Sequence, residues 1–213
     1  MSKALLIMGS SGSGKTTSMR TLDPKTTYYV DADRKGLSWK GWKEQYNQEN
    51  KNYIKSSDAK QIEFIIKGIS DKRPDIKTIV VDTINTIMWD DEFKRMSEKN
   101  YDKWSDLASS IYGLITTANT LRDDLIIIFT AHTQTDYDES GYKFTHVRTS
   151  GRKLDKIVVE SKFTTVLYSK GNKGKYVFET QANDNTAKSP LGAFDEPEID
   201  NDITKVIKAL EDF

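Results

Sequence analysis

The sequence predicts an α/β domain with a mainly parallel sheet flanked by helices and a C-terminal antiparallel β-hairpin. Three observations carry this. Short, continuous apolar runs at residues 4–8 (ALLIM), 77–82 (KTIVVD) and 125–132 (LIIIFTAH) have the length and composition of strands buried on both faces. Amphipathic segments at helical spacing separate them, which gives alternating strand and helix, the order of parallel α/β sheets. The last third changes character, with two β-rich segments on either side of a glycine-containing turn.

Each element has a local reason. The first strand, residues 4–8, ends in Gly9, and the glycine-rich stretch that follows suits neither a helix nor a strand interior. Residues 15–22 read as a helix that stops before Pro24, because proline restricts the residue preceding it. Residues 26–30 (TTYYV) form a second strand ending at Asp31. Residues 35–51 are polar with two tryptophans, Trp39 and Trp42, and read as irregular or partly helical, the tryptophans packing inward. Ile62, Ile65, Ile66 and Ile69 recur at i, i+3, i+4 and i+7, an amphipathic helix capped by Ser57 or Asp58. The strand at 77–82 ends on Asp82. Trp104, Leu107, Ala108, Ile111, Leu114, Ile115 and Ala118 mark a long helix, and the central strand at 125–132 ends on Thr130 and His132. Residues 163–169 and 175–181 flank KGNKG as a hairpin. Ile203, Val206, Ile207 and Leu210 share one face of a closing helix capped by Asp202.

The 213 residues suit one domain spanning 1–213. The formal charge is zero, so no global charge argues for a polyanionic partner. Locally the balance shifts: residues 143–175 hold nine Lys/Arg against two Asp/Glu, and residues 176–213 hold three against nine. With no cysteine, disulfides, thiolate metal sites and cysteine nucleophiles are excluded, and two histidines make a histidine-rich metal site unexpected. No apolar run approaches the ~20 residues that span a bilayer. The five-residue apolar run at the N-terminus is too short for a secretory signal, so the expected location is the cytoplasm, with no membrane partner.

The chemistry is concentrated in GSSGSGKTT, residues 9–17. It matches G-x-x-x-x-G-K-[ST] through Gly9, Gly14, Lys15 and Thr16, between a buried strand and a following helix. Glycines let backbone N–H groups converge on phosphate oxygens, so Gly9, Ser10, Ser11, Gly12, Ser13, Gly14, Lys15, Thr16 and Thr17 form the expected nucleotide cradle. Lys15 reaches the β- and γ-phosphates, and the Thr16 hydroxyl ligates Mg²⁺. Asp82, ending an apolar strand, is the second metal-side residue, a carboxylate for the Mg²⁺ shell. The expected cofactors are therefore ATP and Mg²⁺. Hydrolysis needs a carboxylate to orient or deprotonate water, and Asp31 and Asp33 in YYVDAD both end the second strand; Asp33 is favoured. His132 is a candidate sensor of the γ-phosphate.

Together GSSGSGKTT, YYVDAD, TIVVDT, IIIFTAH and the later NTAKSPLGAF resemble the RecA-like P-loop ATPase core, and more specifically the small phage Sak-type single-strand annealing and recombination ATPases. The resemblance implies that Asp33 holds the place of the catalytic glutamate, one methylene shorter and so slower. It implies that His132 stands near the nucleotide-state sensor, and that Lys188 is a basic residue able to reach a neighbouring subunit's γ-phosphate. It further implies a homo-oligomer, a DNA-stimulated ATPase, single-stranded DNA as partner, and a phage single-strand binding protein as a possible second one. The stretch after His132 takes the place of the DNA-contacting loop.

Arg148, Arg152, Lys153 and Lys156, with Tyr142 and Phe144 among them, and the hairpin cations Lys170 and Lys173 beside Tyr168, supply the cations and rings that sequence-tolerant single-strand binding uses. Arg152 or Lys153 can instead serve an ATP phosphate, in cis or in trans. Two other functions fit the same phosphate motif: a P-loop kinase of a nucleotide or small metabolite, and a non-catalytic nucleotide-binding replication accessory such as a helicase loader.

Overall fold

Nine strands form one sheet in this computed structural model, which describes residues 3–98, 102–150, 158–172, 174–211 and 213. In chain order the elements are β1 (Lys3–Gly9), a 3₁₀ turn (Thr17–Thr21), β2 (Thr27–Asp31), α1 (Trp42–Gln45), β3 (Tyr53–Ile54), α2 (Ala59–Lys72), β4 (Thr78–Asp82), α3 (Ile84–Lys94) and α4 (Asp102–Ala118). There follow β5 (Ile126–Tyr137), β6 (Lys143–Val147), a second 3₁₀ turn (Val159–Lys162), β7 (Thr165–Asn172), β8 (Lys175–Glu179), β9 (Glu198–Asp200) and α5 (Ile203–Ala209).

The strand order is β3-β2-β4-β5-β1-β7-β8-β9, with β6 paired to β5. From β3 through β7 every pairing is parallel; β7–β8, β8–β9 and β5–β6 are antiparallel. This is the predicted α/β architecture, with an antiparallel C-terminal addition.

Alternate residues of each central strand enter different cores, because side chains in a strand switch faces at every residue. Leu6, Met8, Val30, Val81, Ile127 and Phe129 face α2, α3 and α4. Leu5, Ile7, Tyr29, Val80, Ile128 and Leu167 face the first 3₁₀ turn, α5 and the aromatic segment around Tyr46. Both faces are covered, which is why these strands read as continuous apolar runs rather than as alternating ones.

Several expectations change. Residues 15–22 form only a short 3₁₀ turn over Thr17–Thr21, without a side-chain cap. Ser and Thr compete for backbone hydrogen bonds there, and Leu22 is already extended ahead of Pro24. The stretch after His132 is not a loop: β5 continues to Tyr137 and turns back as β6. The turn has a visible cause, since the Asp138 carboxylate accepts from Ser140 N, Ser140 Oγ and Tyr142 N, and Gly141 takes φ 83°. Elements α3, β3, β6 and β9 were not anticipated. Thr83 caps α3 by accepting from Thr86 N at 3.4 Å. Asp58, rather than Ser57, caps α2, and Asp202 caps α5. Trp39 and Trp42 do pack, around Tyr29, Tyr46 and Tyr53.

Within α2, Ile66 is fully buried while Phe64 is 77% exposed. Ile66→Ala is expected to lower unfolding free energy by about 2–5 kcal/mol, and Phe64→Ala by no more than about 0.5 kcal/mol. Urea denaturation of both variants checks the contrast.

Candidate functional site

The register brings the C-terminal ends of three parallel strands to one edge of the sheet. Gly9 lies opposite His132, and Asp31 opposite Asp82, so β1, β2 and β4 end together at the level where β5 leaves its parallel neighbours and runs on to pair with β6. That edge is where ligands bind in open parallel sheets. The glycine-rich loop leaves β1 there, with Gly12 at φ 76° and Gly14 at φ 97°, conformations that favour glycine. Gly9 is needed for another reason: a Cβ there would lie 2.4 Å from the Ser169 carbonyl oxygen and 2.6 Å from Ser13 Oγ.

The loop encloses a pocket of about 200 Å³ lined by the loop itself, Lys35, Asp82, Thr83, His132 and Tyr176. Lys15 is buried and donates from Nζ to the carbonyls of Gly9 (2.8 Å) and Ser10 (2.7 Å). Burial pulls its pKa down to about 8, the Lys35 charge adds to this, and Asp82 and Asp33 oppose it. Asp82 is 3% exposed and accepts three hydroxyl hydrogen bonds. Thr16 donates to its Oδ2 at 2.8 Å, Tyr29 to the same oxygen at 2.7 Å, and Thr130 to Oδ1 at 2.5 Å. Burial first, and Asp82 second, push the Tyr29 phenol well above its ordinary range, so it stays a donor.

Asp31 and Asp33 separate clearly. The Asp31 carboxylate is buried and accepts from Gly36 N (2.9 Å) and Tyr53 Oη (2.6 Å), which makes it a bracket for the turn and for β3. Asp33 accepts from Thr83 Oγ1 (3.1 Å), from Thr86 Oγ1 and from Lys35 Nζ, next to the pocket. Burial raises its pKa, but the bonds from Lys35 and Thr86 outweigh this and hold it below the ordinary carboxylate range. It is therefore ionised at neutral pH.

The protein-family model of the AAA domain matches residues 1–191. The chain belongs to this AAA-domain family. It is accordingly a nucleotide-binding P-loop protein of ATPase type. No curated protein matches it.

In this AAA domain the Thr16 hydroxyl and the Asp82 carboxylate are the residues that would hold Mg²⁺. They fit: both are hard oxygen donors, already 2.8 Å apart, and among the described residues no basic side chain hydrogen-bonds the carboxylate. Among the described residues no group of three or more His, Cys, Asp or Glu is placed to hold a metal ion by itself. When bound, the ion would neutralise charge on the phosphates.

His132 lies in the pocket and stacks on Trp89 of α3, with centroids 6.3 Å apart and planes at 10°. Burial, then the Lys15 charge, lower its pKa, so it is neutral at pH 7. The Arg148 guanidinium lies 5.7 Å from the same Trp89 ring. Buried Asn85 joins the two, accepting from His132 N and donating to Arg148 O, both at 2.6 Å. Trp89 packs, as its residue type suggests, but nothing in the sequence placed it or Asn85 at the site, although Thr83 followed by Ile84, Ile87 and Met88 at helical spacing marks their helix.

Other candidates lie elsewhere. Lys170 does not offer a free cation: it pairs with Glu179 (2.5 Å) and Glu198 (2.8 Å), across neighbouring strands of the hairpin. Lys188 is exposed and forms a backbone bridge with Val166, which is level with Leu6 in the middle of β1, so it is not part of its own chain's phosphate pocket. Tyr168 packs against the core, Phe144 stacks on His146, and Tyr142 is exposed. Arg152, Lys153, Lys156 and Lys173 lie outside the described residues. Among the described residues no helix is long and apolar enough to cross a membrane.

Two outcomes follow. Lys15→Ala is expected to abolish nucleotide binding in calorimetry. In the wild type, phosphate binding needs the lysine charged, so affinity is expected to be flat below about pH 8 and to fall by up to tenfold per pH unit above it, read from titrations across pH 6.5–9.5. The sign for folding is opposite. Lys15 loses its proton at lower pH folded than unfolded, so its contribution to stability rises with pH from about 8 towards the unfolded value.

Proposed function

We propose that this AAA-domain protein hydrolyses ATP with Mg²⁺, slowly, and uses the nucleotide state to control its hold on single-stranded DNA in phage recombination, promoting annealing or strand exchange. The observation that carries the hydrolytic part is the ionised Asp33 carboxylate, hydrogen-bonded to Thr83 at the wall of the pocket that contains Lys15, Thr16 and Asp82. Asp33 is the candidate for activating water, and Lys15 for stabilising charge on the phosphates.

The DNA part is supported by chain connectivity. His132, in the phosphate pocket, touches Trp89, and Trp89 carries Arg148. Ser150, two residues on, is tied to Glu92 of the same helix. The cations Arg152, Lys153 and Lys156 follow immediately in sequence. A shift of His132 on nucleotide binding therefore acts on the start of the basic segment. Lys188, remote from its own pocket and exposed, is read as serving a neighbouring copy in a homo-oligomer.

Steady-state ATP hydrolysis with and without single-stranded DNA, and DNA binding with and without ATP, at one stated salt concentration, test this reading. Stimulation of turnover by DNA and tighter DNA binding with ATP are expected, since coupling in binding is reciprocal. Absence of DNA binding in every nucleotide state sinks the recombination reading and leaves a kinase as the next hypothesis. Asp33→Asn is expected to reduce turnover by roughly 10²-fold or more while nucleotide affinity is retained; unchanged turnover would mean a non-catalytic nucleotide-binding accessory.

A further inference from the structure

Two lysines line the phosphate pocket, and only Lys15 belongs to the phosphate loop. The second, Lys35, stands in the turn after β2, and the turn decides where it goes. Arg34 at φ 58° and Gly36 at φ 83° both take the left-handed region, and Gly36 N donates to the Asp31 carboxylate at 2.9 Å. The reversal sends two adjacent cations to different partners. Arg34 pairs with Asp90 of α3 at 3.1 Å, while Lys35 lines the pocket and pairs with Asp33. Beyond the turn, Ser38 Oγ lies 2.9 Å from Thr17 Oγ1, which ties this segment to the end of the phosphate loop.

The two oxygens of Asp33 have different work. Oδ1 accepts from Thr83 Oγ1 at 3.1 Å and from Thr86 Oγ1, both at the start of α3, so this oxygen is anchored. Among the described residues, Oδ2 accepts from Lys35 Nζ alone. While the ammonium sits there, its charge weakens that oxygen as a base, and it stands where a water would have to hydrogen-bond. The contact is readily exchanged. The Lys35 side chain is 55% exposed against 11% for Asp33, and lysine–carboxylate pairs open to water are weak. A terminal phosphate in the pocket offers more negative charge than one carboxylate, and a lysine is a mobile point charge on a flexible stem.

We infer that Lys35 is a second phosphate lysine that acts as a trigger: it blocks Asp33 Oδ2 until the terminal phosphate of a nucleoside triphosphate draws it away and uncovers that oxygen. The inference rests on the hydrolysis reading above. In the step that follows, the water oxygen bonds to the terminal phosphorus and one water proton passes to Asp33 Oδ2. The bond from that phosphorus to the bridging oxygen breaks, and its electron pair leaves with the diphosphate. Lys35, by then on the terminal phosphate, stabilises charge on the transferring group. A diphosphate lacks the terminal group, so it leaves the Lys35–Asp33 pair in place.

Calorimetric titration of the full chain with AMP-PNP and with ADP, both with Mg²⁺, tests this on wild type, Lys35→Gln and Lys35→Arg. Lys35→Gln is expected to lose roughly tenfold in affinity for AMP-PNP, the scale of one charge-assisted hydrogen bond, with ADP affinity unchanged. Lys35→Arg keeps the charge and restores most of the preference for AMP-PNP over ADP. Single-turnover hydrolysis of saturating ATP is expected to slow by roughly tenfold or more in Lys35→Gln. Equal losses for both ligands, or none for AMP-PNP, overturn the inference, because the lysine then only braces the turn. Faster hydrolysis in Lys35→Gln overturns it too, because the lysine then only restrains Asp33. The hydrolysis reading fails by a different result: Asp33→Asn turning over at the wild-type rate removes the base, and the uncovering of Oδ2 falls with it, whatever the AMP-PNP to ADP ratio of Lys35→Gln.

Discussion

The buried carboxylate of Asp82 is the constraint on which the edge of this sheet depends. A charge taken out of water must be met by hydrogen bonds or it destabilises the fold by several kcal/mol. Here three hydroxyls meet it, from Thr16 after the phosphate loop, Tyr29 on β2 and Thr130 on β5. Each donor sits on a different segment, so satisfying one carboxylate fixes the relative positions of the loop and three strands. All three donors are neutral. The negative charge is left for Lys15, whose pKa it raises against burial, and for a cation that shares the site with phosphates.

The same economy appears on the far side of the pocket. Asn85 uses its amide on two backbone groups, His132 N and Arg148 O, and so holds the middle of β5 and the chain just past β6 on one side of α3. Trp89 fills the space between, with an imidazole on one contact and a guanidinium on another. A neutral imidazole stacks on the indole without a desolvation cost, and burial together with the nearby lysine charges keeps it neutral. Charge in the phosphate pocket and the geometry of the 148–150 segment are thereby parts of one packed unit.

The C-terminal addition braces the loop from behind. Ser169 Oγ donates to the Ser13 carbonyl at 2.8 Å, Asn201 backs Ser169, and the Tyr176 ring lies on Gly14. Residues more than 150 positions away in sequence thus hold the phosphate loop in shape. This explains why the loop needs glycine at Gly9 for close approach and at Gly14 for both approach and φ.

How much was legible depended on the range of the physics involved. The buried strands, α2, α4, the β7–β8 hairpin and α5 were readable because apolar periodicity and caps are local signals, and the phosphate loop because its glycines, Lys15 and Thr16 are contiguous. Asp82 was readable as a polar residue ending an apolar strand. The β5–β6 turn was equally local, with Asp138 and Gly141 in place, but it was obscured by the cations beyond it. What the sequence could not decide were choices set by pairing across the sheet. Asp31 and Asp33 are two residues apart on one strand end, and only Tyr53 from β3 and Gly36 on one side, with Thr83 and Thr86 on the other, assign them different work. Lys170 reads as a free basic residue until β8 and β9 bring Glu179 and Glu198 alongside it. By itself the sequence determined the class of fold and the chemistry of the phosphate loop, because both rest on neighbours in the chain. The partners of Asp82 and Lys170 were decided by the tertiary structure, because a buried carboxylate or a sheet-edge ammonium is satisfied by whatever the folded sheet sets within hydrogen-bonding reach.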